Sequence, residues 1–174
     1  MSRRSPKHFT NEAIPHEELM SLFEAARWAP SSFNAQPWKF VYAKRETKYW
    51  DKFFNLLSPS NQVWVKNAAV IGMVVSSKYS VHHNKSSFNP THEYDTGSAW
   101  MSLSIEGSAR GLAVRGIGGF DYDKAAQVFN IKNQTHKICA MFCVGKRDDQ
   151  STNETVSQRE KIQNFVFEGD FIIF

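Results

Sequence analysis

Three short stretches of the chain carry residue types that could do chemistry. The first is Arg3-Arg4-Ser5-Pro6-Lys7. Two guanidiniums, a hydroxyl and an ammonium within five residues can surround one phosphate. Arg binds it bidentately and Lys adds a point charge. A solvated basic tail has the same composition, and one short motif does not choose between the two. The second stretch is Pro30-Ser31-Ser32-Phe33-Asn34-Ala35-Gln36-Pro37-Trp38. Two prolines stiffen a loop dense in donors and acceptors. Asn34 and Gln36 each offer both, which suits the edge of a heterocycle with carbonyls and ring nitrogens. An ordinary helix-to-strand turn is built alike. The third is Gly116-Ile117-Gly118-Gly119-Phe120. No long helix follows it, so it is a poor phosphate loop. Its glycines can bare the backbone beside a flat ligand where a Cβ would collide, or simply turn the end of a strand.

The other polar clusters promise less. His82, His83 and His92 stand in a polar stretch without Cys or a helical i, i+4 pair, so no metal site is expected. No G-x-S-x-G elbow occurs. Around the three stretches there is no set of base, nucleophile or metal ligands, and no catalytic side chain is assigned.

These stretches need elements to hold them. A helix should open at Pro15, with Glu17 and Glu18 in its first turn and Leu19, Leu22, Phe23 and Ala26 at helical spacing. Residues 30–37 form a loop, 38–43 a strand and 46–57 a helix. Residues 58–62 read as a turn. The near-continuous apolar run 68–75 predicts a central strand covered on both faces. Residues 78–96 are polar and read as an irregular, flexible loop. Residues 97–112 predict a long helix rich in small residues, made for close contact within or between subunits. A strand over 113–120, a short helix over 123–129 and a strand over 138–144 follow, then a polar connector and an apolar tail over 165–174. This order says α/β or α+β.

Bulk properties set the bounds. The chain has 174 residues, which suits one domain over 1–174. Hydrophobic residues are 41% and charged residues 22%, values that exclude disorder and fibrous classes. Aromatics reach 14%, pointing to planar ligands, a large interface or an aromatic core. A net charge of +4 draws anions, nucleic acid among them. The basic residues form no long run, so a small phosphate-bearing ligand explains them as well. No stretch approaches the ~18–20 apolar residues of a membrane helix, and no apolar run follows the basic start. A cytoplasmic protein without a membrane partner is expected. Cys139 and Cys143 share a strand-like run, and four residues of strand span roughly 13 Å, too far for a disulfide. Both read as reduced core thiols.

Taken in order, RRSPK, then APSSFNAQPWKF, then GIGGF after a small-residue helix, the chain resembles the FMN-dependent nitroreductase family. The resemblance implies an α+β fold, a central mixed sheet sandwiched by helices, in an intertwined homodimer with FMN at the interface. It implies that hydride passes from NADH or NADPH through FMN to a nitroaromatic, quinone or similar small-molecule acceptor, by ping-pong turnover. Arg3, Arg4, Ser5 and Lys7 match the segment that holds the FMN phosphate and ribityl chain. Pro30, Ser31, Ser32, Asn34 and Gln36 match the loop that the partner lays against the flavin. Asn61 matches an Asn near the pyrimidine edge. Gly118 and Gly119 match glycines facing the ring near N5, and Arg159 a C-terminal base at the phosphate. Two positions depart from the pattern. Trp64 stands where a lysine is frequent, and Ser157 where a second base is usual. Relatives also include dehalogenases, so another flavin activity is one alternative; a basic nucleic-acid-binding module is the other.

Overall fold

The apolar run at 68–75 becomes strand β2 (Val70–Ser77), whose first seven residues are all buried. In this computed structural model, which describes residues 3–148 and 157–170, β2 is an inner strand of a four-stranded sheet. Its neighbours are β1 (Trp38–Lys44) and β6 (His136–Lys146), and β5 (Leu112–Ile117) forms the far edge, in the order β1-β2-β6-β5. All three ladders are antiparallel. The α+β class therefore holds, but the parallel pairing that a mixed sheet requires does not occur among the described residues.

Helices cover both faces, which is why β2 shows no alternation. On one face lie α1 (His16–Arg27) and α4 (His92–Ala109), with Leu19, Leu22, Ala99 and Leu103 packed on Val70, Val74, Val114 and Phe142. On the other lie α2 (Trp50–Phe54), α3 (Pro59–Val65) and α5 (Tyr122–Val128), with Phe53, Val65 and Ala125 against Ile71, Met73 and Met141. The small residues of α4 find part of their use inside this chain. A Cβ on Gly107 would sit 2.4 Å from Val114 Cγ2 and 3.3 Å from Leu22 Cδ2. Gly97 has no such neighbour and is exposed.

Three segments differ from expectation, the first being the helix expected over 46–57, which shrinks to the five residues of α2. The turn expected at 58–62 is the start of α3, a seven-residue helix with Pro59 in its first turn. Its polar opening hid a helix that buries one residue, Val65. The loop expected over 78–96 contains a hairpin, β3 (Tyr79–His82) and β4 (Lys85–Phe88), and the first turn of α4. His83 and Asn84 turn the hairpin at positive φ, 48° and 60°. Nearly every hairpin residue is exposed, so no apolar alternation announces it.

The thiols are free, but only Cys143 is fully buried; Cys139 is half-buried. The β2–β6 register shifts at Val74/Val75, where Ala140 and Ile138 are successive partners and Cys139 is the extra residue. This bulge sends Cys139 toward the α1–α4 face while Cys143 stays in the opposite core.

The sheet is packed tightly enough for one glycine to be tested. A Cβ at Gly72 would lie 2.5 Å from Phe142 Cζ and 2.7 Å from the Val41 carbonyl oxygen. The ring can shift, but the ladder backbone cannot. Gly72→Ala should destabilise the fold by about 1–3 kcal/mol, as overpacking does. A lowered urea midpoint at unchanged slope is the expected result; an unchanged midpoint would show that the β1–β2 ladder gives way freely.

Candidate cofactor site

The edge strand β5 ends at Ile117, and Gly118-Gly119 leads from it toward α5. Asp121 stops the extended run by accepting from the Lys124 N–H at 2.9 Å, capping that helix. The Gly119 carbonyl accepts two bonds from the α3 region: Ser58 N–H at 3.0 Å and Asn61 Nδ2 at 2.9 Å. A Cβ on Gly119 would stand 2.6 Å from that Nδ2, so the contact needs glycine. Gly118 is different: a Cβ there would meet nothing within 4 Å, and the residue is exposed.

One turn along α3, Trp64 Nε1 donates to Asn61 Oδ1 at 3.2 Å. Phe9 stacks on Trp64 with centroids 6.3 Å apart. Phe9 is itself fixed, bridging to Arg147 and lying where a Cβ on Gly145 would be 2.5 Å from its ring. Its anchoring carries residues 3–7 along the β5 edge. There Arg115 Nη1 donates to the Ser5 carbonyl, and its guanidinium lies 5.2 Å from the Trp64 centroid. Arg3 Nη1 donates to Ser5 Oγ at 3.1 Å, and Arg4 Nη1 to the Arg3 carbonyl at 3.0 Å. Lys7 is exposed beside them. Arg3, Ser5, Arg115, Trp64, Asn61 and Gly119 thus make one unbroken wall of contacts past the bare Gly118 backbone.

The 30–37 loop lies elsewhere. Its 3-10 turn, Ser32–Asn34, is held by Asp95, whose Oδ2 accepts from the Ser32 N–H at 3.1 Å and from Thr91 Oγ1 at 3.0 Å. Ser31 Oγ accepts from the Gln36 N–H at 3.0 Å, and Gln36 Nε2 donates to the Asn34 carbonyl at 3.1 Å. Phe33, Asn34 and Gln36 all have positive φ, 50°, 55° and 47°. Left-handed backbone costs a non-glycine residue about 1–3 kcal/mol and gathers at functional sites. Phe33 is 80% exposed and rests on His82 at 4.5 Å between centroids. Among the described residues no hydrogen bond joins this loop to residues 3–7, Asn61 or Gly118-Gly119. Arg159 bonds the neighbouring carbonyls of Ser157 and Gln158, at 3.0 Å and 3.2 Å, and is likewise not brought to the wall. Within one chain the wall and the 30–37 loop are therefore two separate clusters.

Sequence reading missed Asp95, Arg115 and Ser58. Asp95 had one signal, an acid in the first turn of a helix that follows Asn89-Pro90-Thr91. Arg115 had none, since an arginine in a strand names no partner.

A cleft of about 480 Å³, lined among others by Phe88, His92, Glu93, Tyr122 and Lys137, contains none of the residues matched to the flavin site. Among the described residues no three His, Cys, Asp or Glu side chains could share a metal ion. His92 is buried, with Nδ1 2.8 Å from Ser76 Oγ. Burial holds its pKa below the ordinary value, against the smaller opposing pull of Glu93; Lys137 and Lys78 lower it further. The folded protein therefore refuses a proton that the unfolded chain accepts below pH ~6.5. Stability should be full above that pH and fall as the pH drops through it. Urea midpoints at pH 7.5 and 5.5 should differ more for the parent than for His92→Gln; equal differences would remove His92 as the cause.

Comparison with known proteins agrees on one kind of relative. The family model described as "Nitroreductase family" matches residues 1–146. A protein of Polynucleobacter asymbioticus, provisionally named NADH dehydrogenase/NAD(P)H nitroreductase, is 28% identical over 167 residues, covering 87% of this chain and 84% of that one. A crystal structure described as an oxidoreductase containing FMN is 34% identical with a TM-score of 0.91, covering 98% of this chain and 90% of that one. A provisionally named nitroreductase from Exiguobacterium sibiricum, solved in complex with FMN, is 22% identical with a TM-score of 0.80, over 97% and 94% of the two chains, and shares the fold.

Proposed function

The chain belongs to the nitroreductase family, and from that premise we propose that it is a cytoplasmic, FMN-dependent oxidoreductase working as a homodimer. The observation that carries the reading is the wall running from Arg3 to Gly119 past the uncovered Gly118. Its donors suit one phosphate at one end and the edge of a flat ring at the other. At Gly118 a ring can reach the backbone without meeting a side chain. When bound, FMN supplies two-electron chemistry, drawing on NADH or NADPH and serving nitroaromatic, quinone or similar acceptors.

The residues then divide the work. Arg3, Arg4, Ser5 and Lys7 grip the phosphate with charge-assisted bonds, and Arg159 adds a further cation. Asn61 has its oxygen and one Nδ2 hydrogen spent on Trp64 and Gly119, so its second Nδ2 hydrogen would be the one to serve a ring acceptor. Pro30, Ser31, Ser32, Asn34 and Gln36 come from the partner subunit, which answers why they lie away from the wall of their own chain. Residues 1–174 form one such domain. No side chain need act as acid, base or nucleophile. Donor and acceptor occupy one place in turn, giving parallel lines in double-reciprocal plots; intersecting lines would defeat that part.

The purified protein should be yellow and release FMN, not FAD, on denaturation, because the wall has one phosphate-sized basic cluster. Chromatography of the released cofactor decides this. A colourless protein that also refuses added FMN overturns the reading.

A further inference from the structure

The basic N-terminal segment and the Asn61–Gly119 edge come from distant parts of the chain, and besides the Phe9–Trp64 stack one polar side chain ties them together. Arg115 reaches the Ser5 carbonyl through Nη1 while its guanidinium covers the Trp64 ring at 5.2 Å. Trp64 in turn donates to Asn61 Oδ1 at 3.2 Å, and Asn61 Nδ2 donates to the Gly119 carbonyl at 2.9 Å. We infer that Arg115 is the positioning residue of the cofactor site. Through Ser5 it sets the segment that grips the phosphate, and through Trp64 it sets the amide that meets the ring. The inference rests on the FMN reading above.

The chemistry favours Arg for this task. A planar guanidinium donates in its plane and stacks through its face at the same time, and an ammonium does only the first. The Asn61 amide is fixed in one sense by its partners. Turning it over would set Nδ2 against the Trp64 N–H and Oδ1 against the Gly119 carbonyl, two repulsive pairs. Trp64 is neutral, so between Ser5 and Asn61 the wall draws its positive charge from Arg115.

Titrating the apoprotein with FMN and with riboflavin, by flavin fluorescence, tests this. Riboflavin keeps the ring and lacks the phosphate. Arg115→Met should weaken FMN by about tenfold and riboflavin by less, narrowing the preference for FMN. Arg115→Lys keeps charge and donor but not the stacked plane, and should fall between parent and Arg115→Met. Trp64→Phe keeps a ring under the guanidinium but loses the indole N–H. It should weaken both flavins by one factor and shift the visible spectrum of the bound flavin. An FMN-to-riboflavin ratio in Arg115→Met equal to the parent's overturns the inference. If circular dichroism shows that variant unfolded, the same ratio in Arg115→Lys decides by the same rule. A parent that binds neither flavin sinks the FMN reading, and this inference with it; a parent that binds FMN while the ratio stays fixed sinks the inference alone.

Discussion

Asp95→Ala should lower turnover by about 100-fold while leaving the sheet folded, because a small misplacement of a positioning loop is enough to lose that much. Asp95 is 3% exposed, yet it touches no candidate cofactor-binding side chain. Its work is done on backbone. Oδ2 accepts from the Ser32 N–H and from Thr91 Oγ1, pinning the 30–37 loop to the start of α4. Three residues of that loop sit in left-handed backbone, which relaxes once its anchor is gone. The alanine leaves the Ser32 N–H without its acceptor, at a cost of about 1–3 kcal/mol, while Thr91 Oγ1 keeps Asn89 Oδ1 at 2.9 Å. Asp95→Asn keeps a carbonyl oxygen for the Ser32 N–H and should lose far less. The measurements are steady-state turnover with NADH and a quinone, and the urea midpoint. An alanine variant within threefold of the parent in turnover would mean that the loop holds itself.

What the sequence made legible divides by how each feature is encoded. β2 could be read because burial on both faces demands an apolar residue at every position from Val70 to Val75 apart from Gly72. The long helix could be read from Gly97 to Ala109, but its first turn, where the polar His92, Asp95 and Thr96 are buried, resembles a loop in sequence. The hairpin had no signal because its residues face water on both sides, and α3 had little because it buries only Val65. Among site residues, those named by type and spacing stand on exposed segments, as the composition of Arg3–Lys7 and the 30–37 loop indicated. Their supports, Asp95 and Arg115, are single charged residues on a helix and a strand. Each acts on a backbone group more than sixty positions away, a relation that exists only once the chain is folded. Trp64 reads as a departure from the family pattern in sequence, whereas in the fold it is the link between Arg115 and Asn61.

Placing charge on the open face of α4 should split the protein into monomers that no longer hold FMN. Tyr94, Met101 and Ile105 follow at seven and four residues along that helix, one stripe, and are 79%, 40% and 44% exposed. Phe33 and Val81 are 80% and 73% exposed, and Ile162, Phe165 and Val166 are also open to solvent. A monomer rarely leaves so much apolar surface uncovered. A second copy can cover it and complete the divided site in one act, placing the 30–37 loop of each chain against the wall of the other. Such an interface should bury more than ~2,000 Å². Across a two-fold axis each added charge meets its own copy or a newly desolvated surface. Met101→Glu with Ile105→Glu, like charges that cannot pair with each other across the axis, should therefore give colourless monomers by light scattering at micromolar concentration, with helical content kept. A parent that is itself a yellow monomer would contradict the dimer. Mixing decides whether the loop works across the interface. Arg3→Ala/Lys7→Ala subunits have a sound loop and a damaged wall; Asp95→Ala subunits have the reverse. In a mixed dimer one of the two sites pairs a sound wall with a sound loop. Unfolding and refolding the two inactive variants together should therefore restore about a quarter of parental turnover, since half the dimers are mixed and each has one intact site. If nothing returns while mixed dimers are shown to form, the loop serves its own chain.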